Sequence, residues 1–383
     1  MYNVLVFGMT ENPGGVESFL MNYYRRIDLS RFHFDFLCNS YDPVAFEDEI
    51  HAMGGRTIHF TSRRQNPLRF KKELEAFFSR HAKEYQAIWV NVNSLANIDY
   101  LKMAKKYGIP RRIIHSHNAQ NMDTRLRGLL HEANRGSLRT YATDFWACSD
   151  YAASWFYAGR GGKGPLRHPA VVIRNAIDVE KIQAGLARRD AIRERLGWTD
   201  RYVIACVGRL HFQKNQKFAI DVLACLDKSM PDAGLVLVGQ GEDEAMLRQH
   251  VHALGLEEKV CFAGVVEDVA GYLGASDFFL FPSVFEGLGI AGLEAQAAGL
   301  PTLASADVIP EEIAVTDRLR FYPLEKGPDK WADMISRMRR EGPARPLAAD
   351  DAEWKRLLDA FTEKGYNSAA EVRRLEKLLA GRS

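Results

Sequence analysis

A short apolar run, a glycine-rich turn and an alanine-rich segment follow one another between residues 277 and 301. The run Asp277–Phe281 is typical of a buried parallel strand, and Ile290–Ala298 predicts a helix that ends at Gly299. A strand that passes through glycines into a helix presents backbone N–H groups and the positive end of the helix dipole. The stretch therefore predicts a place where phosphate binds well.

Two glutamates lie in this stretch. Glu286 is in the turn and Glu294 follows within the predicted helix. Eight helical residues span about 12 Å, so a close carboxylate pair acting on one bond, as in a glycosidase, is not expected. The two carboxylates suit instead the two ends of an elongated ligand such as a nucleotide diphospho-sugar. An ordinary strand–turn–helix unit with solvated glutamates is the alternative, and this stretch alone leaves both interpretations open.

The composition describes a soluble globular protein of more than one domain. The chain has 383 residues, 46% hydrophobic and 26% charged, with a net charge of +2, so there is no overall signal for nucleic-acid binding. Its five cysteines are scattered and form no C-x-x-C pair, which argues against a disulfide framework or a zinc site and favours a reducing cytosol. The first residues predict a strand rather than a signal peptide, and no apolar run is long enough to predict a membrane span.

Strand and helix candidates alternate in two sets, one beginning at Tyr2–Phe7 and the other at Tyr202–Val207. This order predicts an α/β fold with two doubly wound, Rossmann-like domains that face a central cleft. We expect an N-terminal domain at residues 1–178 and a C-terminal domain at 179–353. C-terminal helices at 354–383 are expected to pack back toward the N-terminal domain. The helical, charged stretch Val179–Asp200 is expected to link the two domains.

Glycines also follow the first predicted strand. Gly14 and Gly15 open a predicted helix but do not form a G-x-G-x-x-G fingerprint, so a dinucleotide site is only weakly indicated. Paired glycines would let a ligand approach the backbone closely. A tight turn without a ligand explains them equally well.

The loops after the strands of the second domain carry further candidates. Arg209 and Lys214 follow Gly208 at the carboxyl edge of the sheet, where ligands bind in such folds, and two cations there would neutralise a diphosphate. Solvated surface charges are the alternative for both. Two other strand ends reach this edge, one with Gly239 and the other with Gly264, Val265 and Val266, and both could be plain turns. The second could instead offer backbone N–H and C=O groups to a nucleobase.

In the first domain, His115 and His117 end a predicted strand at alternate positions, followed by Asn118. No further ligands match a zinc site, so contacts to sugar or phosphate and a structural role both stay open. Around them, Lys102–Arg139 contains nine Lys or Arg against two acidic residues. This region predicts either a solvated helix face or a docking surface for anionic lipid or a pyrophosphate-linked acceptor.

Taken in order, these motifs resemble retaining glycosyltransferases of family 4, which have the two-Rossmann-domain GT-B architecture. The resemblance covers most of the chain and is strongest to the branch that builds bacterial capsule, exopolysaccharide and other surface glycans. It rests on Gly14-Gly15-Val16-Glu17, His115-Ser116-His117-Asn118, Ala147-Cys148-Ser149, Arg174-Asn175-Ala176-Ile177-Asp178, Gly208-Arg209-Leu210 with Gln213-Lys214-Asn215, and the E-x7-E motif from Glu286 to Glu294. Two departures concern sugar specificity: Ala176 replaces a common glycine, and the residues after Glu286 lack the commoner aromatic or proline.

The resemblance implies a role for each matched residue. Arg209 and Lys214 would stabilise the leaving diphosphate, and Glu294 would hold the ribose hydroxyls. Glu286 would hold the donor sugar near the reacting carbon, and His117 would contact the donor sugar. The resemblance thus implies catalytic roles for four residues: Glu286, His117, Arg209 and Lys214. The remaining matched positions are expected to bind substrate: Gly14, Gly15, His115, Asn118, Asn175, Gly208, Gly239, Gly264, Val265, Val266, Gly287, Leu288, Gly289, Ile290 and Glu294.

The function expected from this resemblance is transfer of a sugar, with retention, from a nucleotide-diphosphate sugar, most simply a UDP-sugar. The acceptor would be a glycan or a polyprenyl-pyrophosphate-linked glycan in bacterial surface polysaccharide synthesis. No Asp-x-Asp occurs in the sequence, so we expect a metal-independent hexosyltransferase without a cofactor. The expected location is the cytoplasm, with peripheral contact at the inner face of the plasma membrane. A nucleotide-sugar epimerase or glycosyl phosphorylase, and a non-catalytic sugar-nucleotide-binding protein, are the alternatives.

Overall fold

The computed structural model describes residues 1–118, 125–157, 170–341 and 351–381. The chain divides into two compact units. The N-terminal unit is Met1–Ala176 together with the C-terminal segment from Ser368, and the C-terminal unit is Ile177–Asn367. Each is built on its own parallel sheet.

The N-terminal unit contains seven described strands, which all pair in parallel in the order β3-β2-β1-β4-β5-β6-β7. Helices cover both faces, so Ala87 and Trp89 enter one core while Ile88 and Val90 enter the other. The strands are β1 (Tyr2–Phe7), β2 (Phe32–Cys38), β3 (Arg56–His59), β4 (Ala87–Val92), β5 (Arg111–Ser116), β6 (Asp144–Ala147) and β7 (Val171–Val172). The first six helices are α1 (Gly15–Tyr24), α2 (Glu47–Ala52), α3 (Pro67–His81), α4 (Asp99–Lys106), α5 (Arg125–Tyr141) and α6 (Asp150–Tyr157).

The C-terminal unit contains six described strands, again all parallel, in the order β10-β9-β8-β11-β12-β13. Phe279 and Phe281 pack on one face of this sheet, and Phe278 and Leu280 pack on the other. The strands are β8 (Tyr202–Val207), β9 (Ala233–Val238), β10 (Val260–Gly264), β11 (Phe278–Phe281), β12 (Thr302–Ser305) and β13 (Leu319–Tyr322). The helices are α7 (Val179–Ala184), α8 (Arg189–Leu196), α9 (Gln216–Leu226), α10 (Glu244–Ala253), α11 (Val269–Ala275), α12 (Ile290–Ala297) and α13 (Gly327–Glu341).

The stretch Val179–Asp200 is not a linker, contrary to the expectation from sequence. Its helices α7 and α8 pack against α11 inside the C-terminal unit. The approach is close, since a Cβ at Gly185 would lie 2.1 Å from the carbonyl oxygen of Ala270. Arg189 and Arg193 also both form ion pairs with Asp277. The charge of this stretch therefore serves packing within one unit.

The last two helices belong to different units. Helix α14 (Asp351–Glu363) packs against α7 and α12 in the C-terminal unit, whereas α15 (Ser368–Leu379) packs against α1 in the N-terminal unit. Val372, Leu375 and Leu379 of α15 lie in the core of the N-terminal sheet. The segment expected at 354–383 is thus divided between the units, and only α15 joins the N-terminal one.

Each sheet has one point where the strand order reverses. In the N-terminal unit it lies between β1 and β4, and in the C-terminal unit between β8 and β11. The loops that leave adjacent strands there diverge to opposite faces of the sheet and open a crevice at the carboxyl ends of the strands. Gly14 and Gly15 follow β1, and Lys214 and Glu286 follow β8 and β11, whereas the two histidines lie at the end of β5, next to β4.

Candidate active site

The loop after β8 places Lys214 against the backbone at Gly208. Gly208 has φ +149°, and a Cβ there would lie 3.2–3.3 Å from three carbons of the Lys214 side chain. Such spacing is tighter than ordinary van der Waals contact, so the glycine provides the space in which the lysine stem lies. The position of the Lys214 side chain therefore depends on glycine at position 208.

Lys214 is directed at Glu286. Its Nζ lies 2.6 Å from Oε1 of Glu286, and the Oγ of Ser283 donates to the same oxygen at 2.7 Å. The Glu286 side chain is only 6% exposed and Ser283 is fully buried. Oε2 of Glu286 has no hydrogen-bond partner among the residues that the structure describes, so it is the oxygen left for a ligand hydroxyl.

Three hydrogen bonds join the loop after β8 to the loop after β11. The Val284 amide donates to the Gln213 carbonyl at 2.8 Å, and the Gln213 side chain donates to the Phe285 carbonyl at 3.0 Å. The Asn215 side chain, on a residue with φ +57°, donates to the Pro282 carbonyl at 3.1 Å. These bonds fix the Lys214 loop against the Glu286 loop, which a salt bridge alone would not do.

Arg209 lies apart from this pair. Its guanidinium contacts Glu242 in the loop after β9, with Nη2 3.0 Å from Oε2, and its side chain is 70% exposed. The sequence predicted two fixed cations beside the glycine turn. The structure brings only Lys214 to Glu286 and leaves Arg209 with a different carboxylate.

The glycine turn ends at the N-terminus of α12. Gly289 has φ +88°, and a Cβ there would lie 3.1 Å from the Phe281 ring, so both the conformation and the packing require glycine. Gly287, in contrast, is exposed and has open space around it. Within the described part of the chain, no protein acceptor takes the backbone N–H of four consecutive residues: Leu288, Gly289, Ile290 and Ala291. Such free donors at a helix N-terminus suit an anion.

Glu294 lies within α12, as the sequence predicted, and is half-buried. Burial raises the pKa of its carboxyl to about 7, and the positive charge of Lys181 on α7 lowers it in part. No hydrogen bond to its side chain occurs among the described residues. Glu294 is therefore a partly desolvated carboxyl group with both oxygens open to a ligand's hydroxyls.

The remaining candidates of this unit lie at neighbouring strand ends. The Gly239 amide donates to the Gly264 carbonyl at 2.8 Å, and a Cβ at Gly239 would lie 2.1 Å from the Gly208 carbonyl oxygen. Close backbone packing thus accounts for Gly239. Val265 is 70% exposed and Val266 half-buried. A nucleobase contact by these residues stays a prediction.

In the N-terminal unit, the first turn of α1 is closed by Glu17. Its Oε2 accepts the Gly14 amide at 3.1 Å, and its Oε1 accepts the Thr10 hydroxyl at 2.6 Å. The N–H of Gly14 is therefore occupied by the protein. Gly15 is exposed, and a Cβ there would meet no atom within 4 Å. Packing within the protein does not require glycine at position 15.

His115 and His117 differ in their exposure to solvent. His117 donates through Nε2 to Asn91 Oδ1 at 2.9 Å, because the Asn91 amide nitrogen is turned toward the carbonyls of Phe7 and Trp89. Burial lowers the pKa of His117 to about 3, so the ring is neutral and its Nδ1 is a hydrogen-bond acceptor. His117 as a whole is half-buried, so part of its surface is exposed to solvent.

His115 does not reach solvent. It is fully buried, its Nδ1 accepts from the Trp89 indole at 3.2 Å, and its ring centre lies 4.2 Å from that of His117. Burial, and then the neighbouring His117, hold its pKa well below the usual range. β5 carries His115 between the two helical layers, so the direct substrate contact that the resemblance implied for this residue has no support in its exposure and stays a prediction.

Asn118 and Asn175 are both half-buried. The segment around Asn175 is held by α1, since the Tyr23 hydroxyl donates to the Arg174 carbonyl at 2.7 Å and the Asn22 side chain donates to the Ala176 carbonyl. A substrate contact by either asparagine stays a prediction.

Sequence reasoning missed four residues that position this chemistry: Ser283, Asn91, Glu17 and Glu242. Glu17 had a readable signal, since it stands three residues after Gly14 where a capping glutamate belongs. Ser283 stands three residues before Glu286, but nothing in its spacing indicates which way its hydroxyl points. Asn91 and Glu242 depend on strand pairing and loop contacts between distant parts of the chain.

Each unit, taken by itself, offers groups that suit an anionic sugar compound. The C-terminal unit combines free N–H groups, a lysine and two carboxyl groups, and the N-terminal unit presents an open glycine turn and a neutral histidine. In the described residues, no group of three or more His, Cys, Asp or Glu side chains is arranged to hold a metal ion.

Comparison with known proteins agrees with the fold. Residues 188–345 match the family described as glycosyl transferases group 1. Two parallel-sheet Rossmann-like units are the components of the GT-B class, which confirms the fold class predicted from the sequence. This match and the relatives below support a group 1 glycosyltransferase that resembles exopolysaccharide enzymes.

Individual relatives extend this result along the chain. The putative glycosyltransferase EpsF of Bacillus subtilis (strain 168) is 29% identical over 368 residues, which cover 94% of this chain and 92% of EpsF. The UDP-Gal:alpha-D-GlcNAc-diphosphoundecaprenol alpha-1,3-galactosyltransferase of Escherichia coli is 33% identical over 138 residues, 35% of this chain and 36% of that enzyme. HepE of Anabaena, solved in complex with UDP, superimposes with a TM-score of 0.76 over the whole of both chains at 17% identity, a likeness of fold.

Proposed function

We propose that the protein transfers a hexose, with retention of anomeric configuration, from a UDP-linked sugar to a lipid-linked or free glycan during synthesis of a bacterial surface polysaccharide. The observation that carries this proposal is the Lys214–Glu286 pair beside the free N–H groups of α12. A cation and oriented N–H groups suit a departing diphosphate, and the buried carboxylate suits the sugar that leaves it.

Each group has one task in this proposal. As the bond to the anomeric carbon loosens, negative charge grows on the diphosphate, where Lys214 and the N-terminus of α12 stabilise it. Glu286, with Oε1 held by Lys214 and Ser283, binds a sugar hydroxyl through Oε2. Glu294 accepts hydrogen bonds from the ribose. His117 accepts a sugar hydroxyl through Nδ1.

The choice of UDP and of a lipid-linked acceptor draws on the relatives. The name of the Escherichia coli relative states a UDP-galactose donor and a diphosphoundecaprenol-linked acceptor, and HepE was solved with UDP. Metal independence draws on Lys214, Arg209 and the α12 N-terminus as sources of positive charge at the diphosphate. Activity measured with EDTA should therefore stay within about twofold of the untreated enzyme, and a loss restored by Mn²⁺ would reject this part.

Membrane contact belongs to the same proposal, because a polyprenyl-linked acceptor lies in a bilayer. No helix in the described residues has the length and apolar character needed to cross a membrane. The region Lys102–Arg139, whose residues 119–124 lie outside the described part, places Lys102 and Lys105 over the Tyr141 ring and leaves Leu129 69% exposed. We propose that this face of α4 and α5 rests on the anionic inner face of the plasma membrane.

The test is a panel of donors (UDP-glucose, UDP-galactose, UDP-N-acetylglucosamine and GDP-mannose) with polyprenyl-diphosphate-linked and free glycan acceptors. Mass spectrometry should detect a product one hexose heavier, and NMR should show the donor's anomeric configuration retained. Incubation with donor alone separates the alternatives. An epimerised donor without acceptor would indicate an epimerase, and nucleotide binding without any product across the panel would indicate a binding protein.

A further inference from the structure

Arg209 is held by a carboxylate that has no part in the proposed transfer. Its Nε and Nη2 lie 3.1 and 3.0 Å from Oε2 of Glu242, and the other oxygen of Glu242 lies 3.4 Å from Nε2 of His211. The hydrogen bond of Glu242 with its own backbone N–H, and then the positive charge of Arg209, hold the pKa of Glu242 below the usual range. Glu242 is therefore an anion at neutral pH.

The backbone keeps this anion in place. The Leu210 amide donates to the Gln240 carbonyl at 3.0 Å, and the Asp243 amide donates to the Leu210 carbonyl at 3.2 Å. A Cβ at Gly241 would lie 2.1 Å from the Leu210 carbonyl oxygen, so the two loops touch through their backbones. Glu242 consequently stays beside Arg209 whichever partner the arginine takes.

The ion pairs formed by Lys214 and Arg209 differ in solvent exposure. Lys214 and Glu286 are 23% and 6% exposed, whereas Arg209 and Glu242 are 70% and 49% exposed. Ion pairs in contact with water are weak and exchange readily, because water and salt screen them. Arg209 is thus the cation that an incoming anion can recruit at low cost.

We propose that Glu242 is an internal counter-anion that occupies Arg209 while the donor site is empty and yields it to the donor's diphosphate. The inference rests on the proposed function. A diphosphate carries more charge than one carboxylate, so it takes the guanidinium from Glu242. Glu242 competes with the diphosphate for Arg209, which lowers the affinity for the nucleotide, and it recaptures Arg209 when the nucleoside diphosphate leaves. Glu242 is a positioning residue that acts through Arg209.

The experiment is isothermal titration calorimetry of UDP into the full-length protein and five variants. Glu242→Gln removes the competing charge and should lower the Kd for UDP about two- to fivefold, the range that an exposed ion pair of up to about 1 kcal/mol sets. Glu244→Gln is the matched control, since Glu244 makes the same change of charge two positions away but pairs with Arg248 instead. Its Kd should match that of the wild type. The other variants are Arg209→Gln, the double variant Arg209→Gln/Glu242→Gln and Glu242→Asp.

The double variant gives the decisive comparison. If Glu242 acts through Arg209, the gain from Glu242→Gln disappears when Arg209 is already Gln, and Glu242→Asp, which retains the charge, stays within twofold of wild type. The proposal is overturned if Glu242→Gln fails to tighten binding, or tightens it equally without Arg209. If the wild type binds UDP and Glu242→Gln binds it no more tightly, only this inference is rejected. Failure of the wild type to bind UDP, GDP or inorganic pyrophosphate would reject the proposed function with it.

Discussion

The Nζ of Lys214 lies 2.6 Å from Oε1 of Glu286, two residues whose loops follow different strands of one sheet. The pair joins a group suited to phosphate with a group suited to sugar. Because Glu286 is 6% exposed, its charge depends on Lys214 and on the Ser283 hydroxyl for compensation. Lys214 therefore compensates the charge of Glu286 in the empty protein, in addition to its proposed role of stabilising the diphosphate.

The two cations should accordingly respond differently to truncation. Lys214→Ala and Arg209→Ala should each lower kcat by about 10²–10³, because each contact strengthens as charge grows on the leaving diphosphate. Lys214→Ala leaves a buried carboxylate without its cation and should also lower the free energy of unfolding by about 1–3 kcal/mol. Arg209, being 70% exposed, should show no such loss.

Steady-state kinetics and urea unfolding of both variants provide the measurement. Lys214→Arg serves as the control that retains the cation but changes its shape. Unchanged kinetics in both alanine variants would remove these residues from the site. Equal stability of Lys214→Ala and wild type would mean that Glu286 does not depend on the pair seen here.

The backbone of this site could be predicted from the sequence, but its side-chain pairing could not. The apolar run Phe278–Phe281, the glycines and the alanine-rich segment give the strand, turn and helix from local rules. Lys214 and Glu286 are 72 residues apart, and their contact depends on hydrogen bonds between loops that no local pattern encodes. The same holds for Arg209, whose position predicted a phosphate contact while the loop after β9 supplies Glu242.

The histidines show a second limit. Alternation predicts that His115 and His117 project to the same side, and their ring centres are 4.2 Å apart. Alternation does not say where the strand ends, and β5 ends at Ser116. His115 therefore lies inside the sheet, fully buried, while His117 lies just beyond it.

Gly15 allows a test of ligand approach with little effect on folding. A Cβ there meets no atom within 4 Å, so Gly15→Ala should fold normally and slightly raise Tm, since alanine favours a helix. If a substrate passes close to this backbone, the added methyl group should still lower kcat/KM by about tenfold or more. Gly136→Ala in α5, which also meets no atom within 4 Å, is the control and should affect Tm alone. Full activity of Gly15→Ala would argue against close approach.

The ionisation of Glu294 predicts a pH dependence of donor binding. Burial raises the pKa of Glu294 from its usual value of 4.5 to about 7. In the free protein its contribution to stability is therefore fully present below pH 4.5 and is lost as the pH rises through 7. Ribose hydroxyls donate to the ionised form, so a UDP-sugar should bind about tenfold more tightly at pH 8 than at pH 6. His117, with a pKa of about 3, does not titrate in this window.

Calorimetry with a UDP-sugar in buffers of different ionisation enthalpy would measure both the affinity and the protons released. Glu294→Gln should bind more weakly and lose the pH dependence between 6 and 8. A dependence that persists in Glu294→Gln would assign it to another group.

The two glutamates of the E-x7-E motif should divide binding from catalysis. Glu294 lies inside α12 and would hold the ribose, away from the bond that breaks, so Glu294→Gln should raise KM with a smaller effect on kcat. Glu286 precedes the helix, and its Oε1 is already fixed by Lys214 and Ser283. Its contact with the sugar should matter most as positive charge develops at the anomeric carbon, so Glu286→Gln should lower kcat with little change in donor affinity. Ser283→Ala, which removes one hydrogen bond to Oε1, should also lower kcat, but less than Glu286→Gln does.

Titration of UDP and of the UDP-sugar separates the roles, because UDP lacks the sugar and should distinguish only Glu294→Gln from wild type. Loss of UDP affinity in Glu286→Gln, with only kcat reduced in Glu294→Gln, would reverse the direction in which the donor is proposed to lie.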